Sequence, residues 1–141
     1  MEFKVVISDP KTGKSYQQEI KDEKANRFVN LKIGGEADGT IVGLPGYKIR
    51  ITGGSDSSGF PMKRGIEGGA AKKILVAGGV GYNPARSVRR KKRVRGAAVT
   101  QETVQINTKI VEYGKKSVEE LLGVQKEPKE GEKADAGKEQ A

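Results

Sequence analysis

The chain has 141 residues, about the size of one domain, and carries a formal net charge of +9. It contains no His and no Cys, which excludes disulfide bonds, thiolate metal sites, cysteine nucleophiles and histidine acid–base catalysis. No apolar run reaches the roughly 18 residues that a membrane helix needs, and the first residues lack a signal-peptide pattern, so we expect a soluble protein of the cytoplasm.

Alternating apolar residues predict strands at the beginning of the chain. Residues 2–8 and 15–20 show a period of two, and the turn-rich stretch 9–14 between them favours a hairpin. The charged residues 21–27 are predicted to form one or two helical turns. Residues 29–33 alternate again and predict a further strand.

Short strands separated by glycines are predicted through the middle of the chain. Residues 40–42 and 47–51 again favour strands, whereas residues 53–69 contain six glycines and predict loop. The apolar run 74–76 is short, and its β-branched side chains favour a strand.

The sheet is predicted to end with residues 96–100 and 103–113, which complete its strands. Several short strands joined by Gly-rich turns favour a mostly β fold. We therefore predict a small β-barrel domain over residues 1–113 with Gly-rich loops.

A short helix and a tail are predicted after the barrel. Ser117 and Glu120 have the spacing of a capping box, so a helix is predicted within residues 114–125. Residues 126–141 contain no Leu, Ile, Val or Phe and are rich in Lys and Glu. They are predicted to form a disordered tail because they have nothing to bury.

The positive charge is concentrated between residues 60 and 96. This stretch has eleven basic residues against one acid, a net charge of +10, which exceeds the charge of the whole chain. Such crowding is typical of a surface that binds a polyanion. We predict that all eleven bind RNA, namely Lys63, Arg64, Lys72, Lys73, Arg86, Arg89, Arg90, Lys91, Lys92, Arg93 and Arg95.

The densest part of this charge is a predicted basic loop, residues 82–96. Seven of the ten residues 86–95 are cations, and five of those seven are arginine, whose planar guanidinium suits phosphate. The run 86–95 has no aromatic residue, which favours contacts with the backbone and shape of folded RNA over base stacking. The alternatives are a solvated loop or an import signal.

The Gly-rich stretch 53–65 could be interpreted as a phosphate-binding loop, but it lacks the closing Gly-Lys-Ser/Thr spelling. We predict a tight turn anchored by Phe60 and Met62 instead. A nucleophile among residues 55–58 with Lys63 as its base is disfavoured, because nearness in sequence does not establish hydrogen-bond geometry. We therefore predict neither an enzyme nor a cofactor or metal site.

Four stretches of this sequence together resemble the ribosomal protein S6e family. They are FKVVISDPKTGKSY at residues 3–16, LPGYKIRITGG at 44–54, GGSDSSGFPMKRG at 53–65 and YNPARSVRRKKRVRG at 82–96. The resemblance spans most of residues 1–125 and implies a β-barrel component of the small ribosomal subunit, bound to ribosomal RNA beside neighbouring ribosomal proteins. Eukaryotic members are longer and carry regulatory serines, so the short archaeal form is the better match.

We therefore predict a structural constituent of the small ribosomal subunit with a role in translation and subunit assembly. The main alternative is a free RNA-binding or RNA-chaperone factor that acts outside the ribosome. A peripheral membrane protein is disfavoured, because the chain has no Cys to acylate and Glu2 stands where myristoylation needs Gly.

Overall fold

The computed structural model describes residues 2–122, which form mainly β-strands. Its elements are β1 (Glu2–Ser8), β2 (Ser15–Lys21), α1 (Asp22–Asn26), β3 (Glu36–Asp38), a 3-10 helix (Gly39–Val42), β4 (Lys48–Asp56), β5 (Ala71–Val76), β6 (Arg90–Arg95), β7 (Thr103–Glu112) and α2 (Val118–Leu122). The predicted disordered tail, and the end of the predicted helix beyond residue 122, lie outside the described residues.

Five strands form the main sheet in the order β2, β1, β7, β4, β3. The predicted hairpin of β1 and β2 is confirmed, and β1 also pairs with β7 in parallel. β4 pairs antiparallel with both β7 and β3. The sheet curls into a half-barrel, which confirms the mostly β fold class, and β2 and β3 are its two edges.

Irregular pairing between β4 and β7 accompanies this curl. The register shifts between Lys48 and Ile49, between Ile51 and Gly53, and between Ser55 and Asp56. Such bulges bend and twist a strand. Gly54 lies within this region, and a Cβ placed on it would be only 2.4 Å from the carbonyl oxygen of Gln105. Glycine is therefore required there for the two backbones to approach.

The core lies on the concave face of the main sheet. Alternate residues of β1, namely Phe3, Val5 and Ile7, are fully buried, as their period predicted. Phe28, just after α1, is also fully buried and packs into the same cluster. The helical turn predicted over residues 21–27 is confirmed as α1 and covers one end of the core.

The strand predicted over residues 29–33 is absent. These residues form turns, and Lys32 makes only an isolated bridge with Ala98. Their alternation arises because Val29, Leu31 and Ile33 pack against the core one after another. Burial of every second side chain therefore occurs here with irregular pairing alone, in which the amides of Asn30 and Ile33 donate to the carbonyls of Val99 and Ala97 at 2.9 and 3.0 Å.

Two other predicted strands are also not formed. The stretch 40–42 belongs to the 3-10 helix, whose first turn is capped by Asp38, and the Thr40 amide donates to Asp38 Oδ1 at 3.1 Å. Residues 96–100 form no strand either, because their amides donate to two different segments: Ala97 to the carbonyl of Ile66 at 2.9 Å and Val99 to that of Leu31 at 2.8 Å. A short side chain that accepts local amide bonds favours a turn over a strand.

β5 and β6 form a separate antiparallel hairpin with the connection between them, which we call the basic arm, residues 71–95. The strand predicted at 74–76 is confirmed as part of β5. The prediction that residues 82–96 are entirely loop is wrong, because Arg90–Arg95 form β6. β6 joins the rest of the fold through the amide of Arg95, which donates to the carbonyl of Pro61 at 2.9 Å.

α2 follows the last strand and packs onto the core. The Glu120 amide donates to Ser117 Oγ at 3.3 Å, which confirms half of the predicted capping box. Val118 and Leu122 are buried. Among residues 2–122, no helix has the length and apolar character to cross a membrane.

Candidate nucleic-acid interface

The eleven predicted RNA-binding residues differ in exposure. Lys63 and Lys92 are half-buried and Arg95 is buried. The exposed residues are Arg64, Lys72, Lys73, Arg86, Arg89, Arg90, Lys91 and Arg93. Folding therefore leaves ten of the eleven cations wholly or partly accessible to a ligand.

Strand alternation divides the cations of the basic arm between its two faces. On one face, Lys73 lies opposite Arg93 and Leu75 lies opposite Lys91. Like charges directly opposite each other across two strands destabilise the pair. Leu75 is 58% exposed, so the apolar surface beside these cations is also uncovered.

The other face of the arm combines cations with a small apolar cluster. Here Lys72 lies opposite Val94 and Arg90 opposite Val76. Both valines are buried, yet they lie outside the main core cluster. Gly81 lies against Val94, since a Cβ on it would be 3.4 Å from Val94 Cγ1. The arm thus has its own packing, which holds its strands in place.

Two aromatic residues from outside the run 86–95 lie beside its cations. Lys92 Nζ is 5.5 Å from the ring centre of Tyr82, and the guanidinium carbon of Arg93 is 5.8 Å from that of Phe60. Tyr82 also organises the connection, because its hydroxyl donates to the carbonyl of Val88 at 2.7 Å. The run itself has no aromatic residue, as the sequence shows, and only folding supplies these neighbours.

Within residues 2–122, no acid forms an ion pair with the exposed cations of the arm. Residues 68–101 contain no Asp or Glu. Among the ion pairs of residues 2–122, Arg95 is the only arm residue involved. The arm therefore presents uncompensated positive charge on both faces, which is suited to a polyanion.

Arg95, which was predicted to bind RNA, is buried and is used inside the fold. Its side chain is 5% exposed and makes four hydrogen bonds inside the fold. Nη1 donates to Asp56 Oδ2 at 3.1 Å and to Glu102 Oε2 at 3.0 Å. Nη2 donates to the Gly69 carbonyl at 2.6 Å and to Thr100 Oγ1 at 3.0 Å. A buried guanidinium needs such partners, and this one ties the arm to β4.

Asp56 is a functional residue that the sequence analysis missed. Its Oδ1 accepts the amides of Ser58 and Phe60 at 3.0 and 2.9 Å, so the same carboxylate shapes the Gly-rich turn and holds Arg95. Burial by itself would raise the pKa of Asp56, but the hydrogen bonds from Arg95 and the two amides outweigh it and lower that pKa. Nothing in the local sequence pairs Asp56 with a residue 39 positions away.

The Gly-rich stretch 53–65 begins within β4, which ends at Asp56, and residues 57–65 form the predicted loop. Met62 is buried, as predicted for an anchor, and Phe60 is half-buried. In the part of the chain that the structure describes, no hydrogen bond joins Lys63 to the serines of residues 55–58. The disfavoured Ser/Lys nucleophile gains no support from this geometry.

Together these observations define a class of protein, a small half-barrel with an exposed cationic arm that Arg95 joins to the main sheet. The model of the family described as Ribosomal protein S6e matches residues 3–123. This chain belongs to the ribosomal protein S6e family, as its motifs indicated. Membership makes it a structural component and not an enzyme.

Several archaeal proteins named small ribosomal subunit protein eS6 are similar to the chain. The protein of Methanothermobacter thermautotrophicus is 50% identical, over 90% of this chain and 100% of its own length. That of Methanocella arvoryzae is 47% identical over 92% of both chains. That of Methanocaldococcus jannaschii is 48% identical, over 86% of this chain and 92% of its own length.

Proposed function

We propose that this chain is a structural constituent of the small ribosomal subunit and that its basic arm binds ribosomal RNA there. The names of its archaeal relatives support the first part. The RNA-binding role of the arm rests on its uncompensated charge. Eight of its cations are exposed or half-buried, and none of these eight forms an ion pair among the described residues.

Binding through the arm would depend mainly on phosphate contacts. Each Lys or Arg that neutralises a phosphate releases a condensed counterion, so affinity falls as salt rises. Because cations lie on both faces of the arm, the arm is suited to insertion between two RNA segments, each face contacting one of them. Shape recognition of folded RNA would then provide specificity, because the arm presents no extended stacking platform.

Replacing Arg89, Arg90 and Arg93 together with Gln tests this role, since it leaves the buried Arg95 in place. We expect the logarithmic salt slope for binding a small-subunit ribosomal RNA transcript to become shallower by about 2, at roughly 0.7 per lost contact. Fluorescence anisotropy titrations at several salt concentrations measure both the slope and the affinity.

The matched control replaces the exposed Lys24, Lys115 and Lys116 with Gln, which changes the net charge equally outside the arm. Equal binding by the arm variant and this control would contradict the RNA-binding role.

The parent chain should also remain on small subunits after a high-salt wash. Recovery only in ribosome-free fractions would instead assign it to the free RNA-binding factors.

A further inference from the structure

A second cationic surface lies outside the basic arm, in a cleft of about 310 Å³ on the outer face of the main sheet. Arg50 of β4, Lys109 of β7 and Arg64 line it. Arg50 and Lys109 were not among the predicted RNA-binding residues, because each stands in a stretch of ordinary charge. The sheet alone brings them together.

Arg50 and Lys109 are direct neighbours across β4 and β7, where they occupy paired positions. Both point away from the core, since the flanking Ile49, Ile51 and Ile110 are buried. Two like charges at paired positions destabilise a sheet unless an anion compensates them.

Internal compensation of these charges is incomplete. Glu36 Oε1 accepts from Arg50 Nη2 at 2.8 Å, whereas Lys109 and Arg64 form no ion pair among the described residues. The Nε–H of Arg50 is buried and has no hydrogen-bond partner in residues 2–122. A buried donor without a partner is unfavourable. The unpaired charges of Lys109 and Arg64 in addition leave the cleft suited to an anion from outside the chain.

Arg64 reaches this cleft because of a glycine. Gly34 has φ of +88°, and a Cβ placed on it would be 3.4 Å from Arg64 Nη2. The positive φ and the missing side chain let the guanidinium lie directly against this backbone. A third cation from a different segment is thereby added to the strand pair.

We infer that this cleft binds a phosphate group of the same RNA that the arm contacts, an inference that rests on the proposed function. The cleft is continuous with the arm, because Val80 of the arm and Met62 both line it and Met62 pairs with Arg95 at the base of the arm. An RNA backbone following the arm toward its base therefore reaches Arg50, Arg64 and Lys109. Guanidinium and ammonium groups around a concave surface are the usual donors to phosphate.

The test uses the full chain with Arg50→Gln and Lys109→Gln combined. Binding to a small-subunit ribosomal RNA transcript should weaken about tenfold, and the salt slope should become shallower by about 1.5 for the two contacts. The matched control is the combined Lys21→Gln and Lys48→Gln, which removes two exposed strand cations that are already paired with Glu2 and Glu112. The control should keep the parent's slope.

Thermal unfolding of the free proteins checks the cross-strand repulsion. Removing two opposed like charges should leave the cleft variant at least as stable as its control.

A cleft variant that matches its control in affinity and slope overturns the inference. If the arm variant still loses binding in that case, the proposed function survives alone. If the arm variant also binds normally, the proposed function fails too.

Discussion

At the scale of single residues, Arg95 and Asp56 show that a cation within a basic run can be buried in an internal ion pair instead of lying on the surface. Arg95 belongs by sequence to the basic run, yet its guanidinium is surrounded by Asp56, Glu102, Gly69 and Thr100. Its fork of donors reaches several acceptors at once, which the single ammonium of Lys could not reproduce.

Replacement of Asp56 by Asn should destabilise the fold, because it leaves the buried Arg95 without its buried anionic partner. We expect the free energy of unfolding to fall by about 3 kcal/mol, measured by urea denaturation. The control is Glu102→Gln, since the Glu102 side chain is 75% exposed and its pair with Arg95 should contribute less than about 1 kcal/mol.

The same pair predicts the acid sensitivity of the parent. Because folding lowers the pKa of Asp56, its stabilisation is complete above the ordinary value of 3.8 and is lost as pH falls through the lowered pKa. Below about pH 4 the Asn variant should therefore lose less stability than the parent does. Parallel pH profiles of the two proteins would contradict this account of Asp56.

At the scale of secondary-structure elements, the basic arm behaves as a unit with its own apolar cluster. Val94 and Val76 are buried apart from the core of the main sheet, and Gly81 of the connection lies against Val94. Elements with few apolar contacts open locally before the whole molecule unfolds. The placement of the cations therefore depends on a small amount of packing.

Val94→Ala should loosen the arm while the main sheet stays intact. The loss of buried side-chain volume should lower the local free energy of opening by about 1.5 kcal/mol. Hydrogen exchange should show faster exchange of the β5 and β6 amides and unchanged exchange in β1 and β7. Leu75→Ala, at an exposed position of the same hairpin, is the control and should change neither. Equal acceleration in β1 would show that the arm has no separate packing.

The elements also show where periodicity predicts structure and where it does not. The alternation of β1 predicted a strand correctly, because its neighbours β2 and β7 satisfy its backbone on both sides. Residues 29–33 have the same period, but they pair only with residues 97–99, through three backbone hydrogen bonds around the Lys32–Ala98 bridge, and neither segment forms a regular strand. Periodicity reports which side chains are buried, and a strand additionally requires a regular ladder of hydrogen bonds along its length.

At the scale of the whole molecule, the concentration of charge opposes the compact state of the free protein. All of the excess positive charge lies between residues 60 and 96, and opposed like charges occur both in the arm and in the cleft. Repulsion between exposed charges is weakened by salt, since the screening length falls from about 30 Å at 0.01 M to about 8 Å at 0.15 M.

The melting temperature of the free chain should therefore rise when sodium chloride is increased from 0.01 to 0.15 M, by a few degrees for about 1 kcal/mol of relieved repulsion. The variant with Arg89, Arg90 and Arg93 replaced by Gln should show a smaller rise. Differential scanning calorimetry measures both. A rise of equal size in the two proteins would mean that the arm is not the source of the repulsion.

The sequence by itself determined the mostly β class, the hairpin of β1 and β2, the cap at Ser117 and the location of the basic surface. Each of these follows from residues close together in the chain, through alternation, spacing or local charge density. Only the tertiary structure decided that Arg95 is buried against Asp56 and that Arg50, Arg64 and Lys109 share a cleft. Ion pairs and clefts join residues distant along the chain, and strand register, which no local pattern encodes, determines which of them meet.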